Sequence, residues 1–224
     1  MGLREHMIDA HAVNLGPHGL LIVNLTLLSM IGWALWKTEK NLSSQSDMIV
    51  LSLLGIFAVA GRILLEPLPN IQPVTVIILM SGIYFGVGRS IILASTVALI
   101  SNLFIGHGLW TLYQAIGWSL VGIIGALLSN KLHMKNSTSN VPLMTVAVFC
   151  AFIFDWVVSL SVLHTLGPDL LFLYILSGIP FDILHAVGNM FFVAWFASPL
   201  GEIMTRHLSV KKPLAVKELV KNRV

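Results

Sequence analysis

The sequence is divided into apolar runs that are each long enough to cross a lipid bilayer, and this property excludes most folds. Seven such runs occur, at roughly 18–36, 47–66, 73–88, 89–105, 110–130, 142–164 and 169–199. A helical crossing needs about 20 residues. In hydrocarbon every backbone amide must be satisfied within the protein, which favours helices over open strands. Hydrophobic residues make up 56% of the chain and charged residues 10%, whereas soluble domains carry roughly a quarter charged. The expected fold class is therefore an all-α integral membrane protein, and 224 residues leave no room for a large soluble module. The last run exceeds one plain crossing at about 1.5 Å per residue. It contains "SGIPFD", and Pro180 suits the first turn of a helix. This predicts a short surface helix over 169–177 and a seventh span over 180–199.

Orientation follows from the basic residues, which collect on the cytoplasmic side of membrane proteins. Alternate connections place Lys37, Lys40, Arg89, Lys131 and Lys135 on one side, together with Arg206, Lys211, Lys212, Lys217, Lys221 and Arg223 of the tail. The opposite side has Arg4 and, just inside a helix end, Arg62. The expected arrangement is a multi-pass protein of the cell membrane with the N-terminus outside and the C-terminus cytoplasmic. Because the net charge of +3 is explained by this asymmetry, nucleic acid is not an expected partner. The first run is preceded by Arg4, Glu5 and Asp9, lacks a small-x-small cleavage site and meets Lys37 directly, so it reads as a membrane helix rather than a signal peptide. Cys150 is the sole cysteine, which excludes a disulfide within the chain.

Prolines, amides, glycines and aromatics concentrate in the connections on the outer side. "PLPNIQPVT" (67–75) joins runs two and three, and "IGHGLWTLYQ" (105–114) joins runs four and five. "HTLGPD" precedes the short helix that ends in "SGIPFD". Pro67, Pro69 and Pro73 stiffen the first corner, where Asn70 and Gln72 offer amide donors and acceptors. Trp110, Tyr113, Gln114 and Trp118 follow at helical spacing, with Gly106 and Gly108 permitting close approach. Asp182, His185 and Asn189 share one helical face, and Ser101 and Asn102 fall at the same depth. Together these features describe a concave site for a sizeable planar ligand. The candidate contacts are Asn70, Gln72, Thr75, Asn102, His107, Trp110, Gln114, Asp182 and His185. Arg62 could instead form a structural ion pair with Glu66, Asp155 or Asp182. Taken singly, each feature also reads as a helix end facing water or as an interfacial aromatic belt. No HExxH, nucleophile turn, carboxylate pair or phosphate loop accompanies His107, His164 and His185, so neither enzyme activity, a metal nor a cofactor is expected.

Three stretches in order carry a family resemblance: "AGRILLEPLPNIQPVTVIILMSGIYFG", "SNLFIGHGLWTLYQAIGWSLVGIIGAL" and "GIPFDILHAVGNMFF". Over roughly 47–200 the chain resembles the substrate-binding S component of energy-coupling factor (ECF) vitamin importers, and within them a subgroup associated with cobalamin or related corrinoids. The resemblance implies a six-helix bundle whose outer loops hold a vitamin. It also implies a transmembrane coupling subunit and two ATP-hydrolysing subunits as partners, beside the lipid bilayer. On that basis residues 1–45 form an arm and an additional helix, 46–202 the binding domain and 203–224 a basic tail. The usual Ala-x-x-x-Ala of the first family helix is missing from "LSLLGIFAVAGRI", whereas Ser90, Ala94 and Ala98 form a small-residue ladder elsewhere. The expected function is capture of a vitamin, a corrinoid by preference. The alternatives are an S component for another vitamin or precursor, or an ion-coupled transporter using Arg62, Asp155 and Asp182.

Overall fold

The apolar runs fold as helices because no other backbone arrangement satisfies its own amides in lipid. The computed structural model describes residues 16–38, 45–132 and 140–209. The helices are α1 (Gly16–Thr38), α2 (Gln45–Leu64), α3 (Val74–Phe85), α4 (Val87–Ile105) and α5 (Leu109–Leu127). They are followed by α6 (Ser129–Leu132), α7 (Val141–Ser159), a 3₁₀ turn (Leu160–Val162), α8 (Leu163–Leu166) and α9 (Pro168–Ser209). Among the described residues six helices are long and apolar enough to cross a membrane, namely α1, α2, α4, α5, α9, and α7 with its 3₁₀ extension. The chain is an all-α, multi-pass membrane protein. The N-terminal arm with Arg4, Lys40, Lys135 and the tail with Lys211, Lys212, Lys217, Lys221 and Arg223 lie outside the described residues.

The third run departs from expectation. It forms a helix of 12 residues instead of a full span over 73–88, a rise of about 18 Å against a hydrocarbon core of about 30 Å. Pro73 limits it at one end, and Gly86, with φ of 82°, turns the chain at the other. All of its side chains are buried, so α3 runs through the bundle interior and touches no lipid. Its neighbours accommodate it through glycine. A Cβ on Gly82 would stand 2.1 Å from the carbonyl oxygen of Gly122 in α5, and one on Gly125 would stand 2.2 Å from that of Leu79 in α3. The two backbones are therefore in direct contact, an approach that only small residues permit.

The same economy of volume uses up the small residues elsewhere. Ser90, Ala94 and Ala98 of α4 are fully buried, and Ser90 packs against Gly122. In α2, Ala58 is buried, Gly55 meets Leu93, and a Cβ on Gly61 would stand 2.6 Å from Pro73. These residues tie the bundle together internally.

The last run also differs. The helix continues through Pro180, so 169–177 and 180–199 belong to one helix of 42 residues. A proline inside a helix removes one hydrogen bond and crowds the preceding turn, a defect that membrane helices tolerate when neighbours re-satisfy the freed carbonyl groups. At about 1.5 Å per residue, the segment of α9 before Asp182 rises about 20 Å. With the end of α7 and with α8 it forms a hairpin that carries exposed Trp156, Phe172, Leu173 and Leu176.

At one end of the bundle, buried Asp47 and Arg89 form an ion pair of 3.2 Å that joins the starts of α2 and α4. The opposite end gathers the ends of α2, α4 and α7, the starts of α3 and α5, and the middle of α9. A Gly125→Ala substitution is expected to separate α3 from α5 and to destabilise the detergent-solubilised chain by about 1–3 kcal/mol. Thermal unfolding checks this against Gly32→Ala, where an added Cβ meets nothing within 4 Å and no loss is expected.

Candidate functional site

Arg62 organises this second end. It lies within the last turn of α2 and is only 6% exposed. Its Nε donates to Gln72 Oε1 at 3.2 Å. Its Nη1 donates to Asn102 Oδ1 at 2.7 Å and to Ser101 Oγ. The guanidinium carbon stands 5.0 Å from the centre of the Trp118 ring, a cation–π arrangement that gains strength away from water. Glu66 is exposed, Asp155 bonds to His185 and Asp182 bonds to Trp156. Among the described residues Arg62 forms no ion pair with any of these three acids, the structural alternative that the sequence left open.

Asn102 extends the network into α5. Its Nδ2 donates to Thr111 Oγ1 at 2.8 Å and to Gln114 Oε1 at 2.7 Å. Thr111 Oγ1 also lies 3.0 Å from His107 Nδ1 and accepts the Gly108 N–H at 3.3 Å, which holds the turn between α4 and α5. His107 Nε2 is buried with no partner among the described residues. Burial lowers the His107 pKa and favours the neutral ring. The Trp110 ring folds back over this turn, where a Cβ on Gly108 would stand 2.0 Å from it.

A second arm begins at Thr75, the second residue of α3. Its Oγ1 accepts from Trp118 Nε1 at 3.1 Å and lies 2.8 Å from His185 Nε2. His185 Nδ1 lies 2.9 Å from Asp155 Oδ2. The arrangement closes when Nδ1 carries a proton toward the carboxylate and Nε2 accepts the proton of Thr75. Asn70, with φ of 57°, sits in the left-handed region that asparagine tolerates. Its amide makes long contacts to Asp155 Oδ1 (3.5 Å) and to the Phe181 carbonyl oxygen (3.4 Å). Asp182 Oδ2 accepts from Trp156 Nε1 at 3.1 Å, and Asn189 Nδ2 donates to the Ala147 carbonyl oxygen at 3.0 Å. Between the arms, Trp118 stacks on Phe154 at 4.5 Å, and Phe154 meets His185 edge to face at 5.5 Å.

The structure thus brings Asn70, Gln72, Thr75, Asn102, His107, Gln114 and His185 into one connected system with Arg62 and Asp155, while Asp182 occupies the same face of α9 as His185. Both amides of the 69–75 corner turn inward and satisfy buried charged groups. Asn70, Gln72, His107 and Gln114 are its half-buried, accessible members, and half-buried Trp110 and Tyr113 lie at the start of α5. Trp118, read from sequence as part of an aromatic wall, is a core residue at 2% exposure. His107, His164 and His185 have separate partners, namely Thr111, Tyr113 and the Thr75–Asp155 pair. Among the described residues no group of three His, Cys, Asp or Glu side chains could hold a metal ion. Sequence reading missed Thr111 and Phe154. Thr111 could have been found from its position three residues before Gln114, whereas nothing distinguishes Phe154 from other apolar residues of its span.

Two apolar grooves of about 580 Å³ each are lined by none of the residues of this network. One follows α2 and α4 past Gly55, Ile56, Leu93 and Thr96, and the other lies between α7 and α9 beside Trp156, Phe172 and Ile179.

Thr75→Val would strand the Trp118 indole N–H and His185 Nε2 with little change in volume. The expected cost is about 1–3 kcal/mol for each stranded group, read as a lower unfolding temperature, with recovery in Thr75→Ser.

Residues 42–209 match a protein family described as a family of unknown function (DUF6580). The chain belongs to that family; the match spans α2 through α9 and leaves α1 outside it. No curated protein and no solved structure matches the chain.

Proposed function

We propose that this protein is the substrate-binding subunit of an ECF-type importer, which captures a vitamin at the outer membrane face. A corrinoid is the preferred ligand. The observation that carries the reading is the convergence of three connections at one end of the bundle. The 66–73 corner, the 106–108 turn and the middle of α9 supply polar side chains to a single network there. The half-exposed residues Gln72, His107, Trp110, Tyr113 and Gln114 would meet the ligand first. Their amides match the many amide groups of a corrinoid, and their rings match its flat face. In this reading the end faces outside, with the N-terminus external and the C-terminus cytoplasmic, which the distribution of basic residues in the sequence supports.

In this reading the chain binds but does not drive transport. Energy comes from two ATP-hydrolysing subunits acting through a transmembrane coupling subunit, the partners implied by the sequence resemblance. The buried Asp155–His185–Thr75 chain favours a second reading, an ion-coupled transporter in which a proton moves along those groups. Gradient-dependent uptake by liposomes containing this chain alone would support that alternative.

Calorimetric titration of the purified chain with cobalamin and cobinamide tests the first reading. Saturable binding is expected, at least about tenfold weaker in Gln114→Ala. Absence of heat with both corrinoids would exclude the corrinoid assignment, and absence across a vitamin panel would exclude the receptor reading.

A further inference from the structure

Arg62 carries a charge that its surroundings do not neutralise. An arginine side chain stays protonated in proteins, and a buried cation is costly unless a counter-charge or full hydrogen bonding compensates it. Arg62 is more than nine-tenths buried. Its acceptors, Gln72, Ser101 and Asn102, are all neutral. Those bonds use Nε and Nη1 and leave Nη2 without a protein partner among the described residues. The other buried arginine among the described residues, Arg89, has Asp47 as its counter-charge. The contrast is between a cation with a counter-charge at one end of the bundle and a cation without one at the other.

The residues around Arg62 would also admit a ligand. Gln72, bonded to it, and Gln114, one step away through Asn102, are both half-buried, so the network reaches the accessible surface. Nearby, His107 Nε2 is a second unpartnered polar atom. At this end the two buried carboxylates already have partners of their own, His185 for Asp155 and Trp156 for Asp182.

We propose that Arg62 is an anion-recognition residue, and that the soluble ligand of this end carries a carboxylate or phosphate group that completes its charge. Nη2 keeps N–H donors for either group, and hydrogen bonds from a charged donor to an anion are the strong ones, with Gln72, Gln114 and His107 as supporting contacts. The inference rests on the reading that this end receives a soluble ligand, and it adds the charge class of that ligand.

The test uses the full chain, labelled with ¹⁵N-arginine, in phosphatidylcholine nanodiscs. Inorganic phosphate and succinate are titrated separately against chloride at equal ionic strength. A saturable shift of the Arg62 Nε–H resonance is expected, with no matching shift for Arg89. In calorimetry, folded Arg62→Gln protein is expected to bind the effective anion at least about tenfold more weakly. No anion-dependent shift would overturn the proposal. A shift that appears only when phosphatidylglycerol replaces phosphatidylcholine would assign the anion to a lipid headgroup and overturn its soluble form. Corrinoid calorimetry is separate: cobinamide binding without an anion response removes this inference alone, and an anion response without vitamin binding removes the vitamin reading alone.

Discussion

The cost of holding Arg62 inside a membrane bundle governs the arrangement of one entire end. A guanidinium removed from water needs acceptors on several sides, and no single helix can supply them. Here α4 supplies Ser101 and Asn102, the α2–α3 corner supplies Gln72, and α5 supplies the Trp118 face. Meeting that demand sets the relative depth of α2, α4 and α5. Trp118 then carries the constraint onward, because its indole N–H bonds to Thr75 and its ring stacks on Phe154. From there His185 and Asp155 bind α9 to α7.

This network could not form unless α3 lay deep inside the bundle. Direct contact of the α3 and α5 backbones at Gly82, Gly122 and Gly125 brings Thr75 within reach of both Trp118 and His185. A larger residue at those glycines would move the hydroxyl away from two partners at once. The packing of small residues and the polar chemistry are thus one design. The first sets distances, and the second makes those distances necessary.

Much of this was legible in the sequence. Run lengths placed the spans near the observed helices, and the i, i+3, i+7 spacing correctly put Asp182, His185 and Asn189 on one buried face. The depth of Ser101 and Asn102 was legible for the same reason, since helical rise is uniform. Other features were not local. Pro180 is a strong helix-start signal, but the tertiary surroundings keep α9 continuous through it. Run 73–88 looks like a span because apolar composition cannot distinguish a helix facing lipid from one facing protein. The amides of the 69–75 corner look like pocket tips in sequence. Only the fold reveals that Gln72 and Asn70 turn inward, toward Arg62 and Asp155.

The central claim is that the polar end of the bundle is where a ligand from outside is received. Hydrogen–deuterium exchange of the full chain in nanodiscs, with and without cobalamin, addresses it most directly. The account predicts slower exchange confined to residues 66–76, 106–114 and 178–186, which border the network. Unchanged exchange in these segments at a saturating concentration, or protection restricted to the apolar groove along α2 and α4, would contradict it.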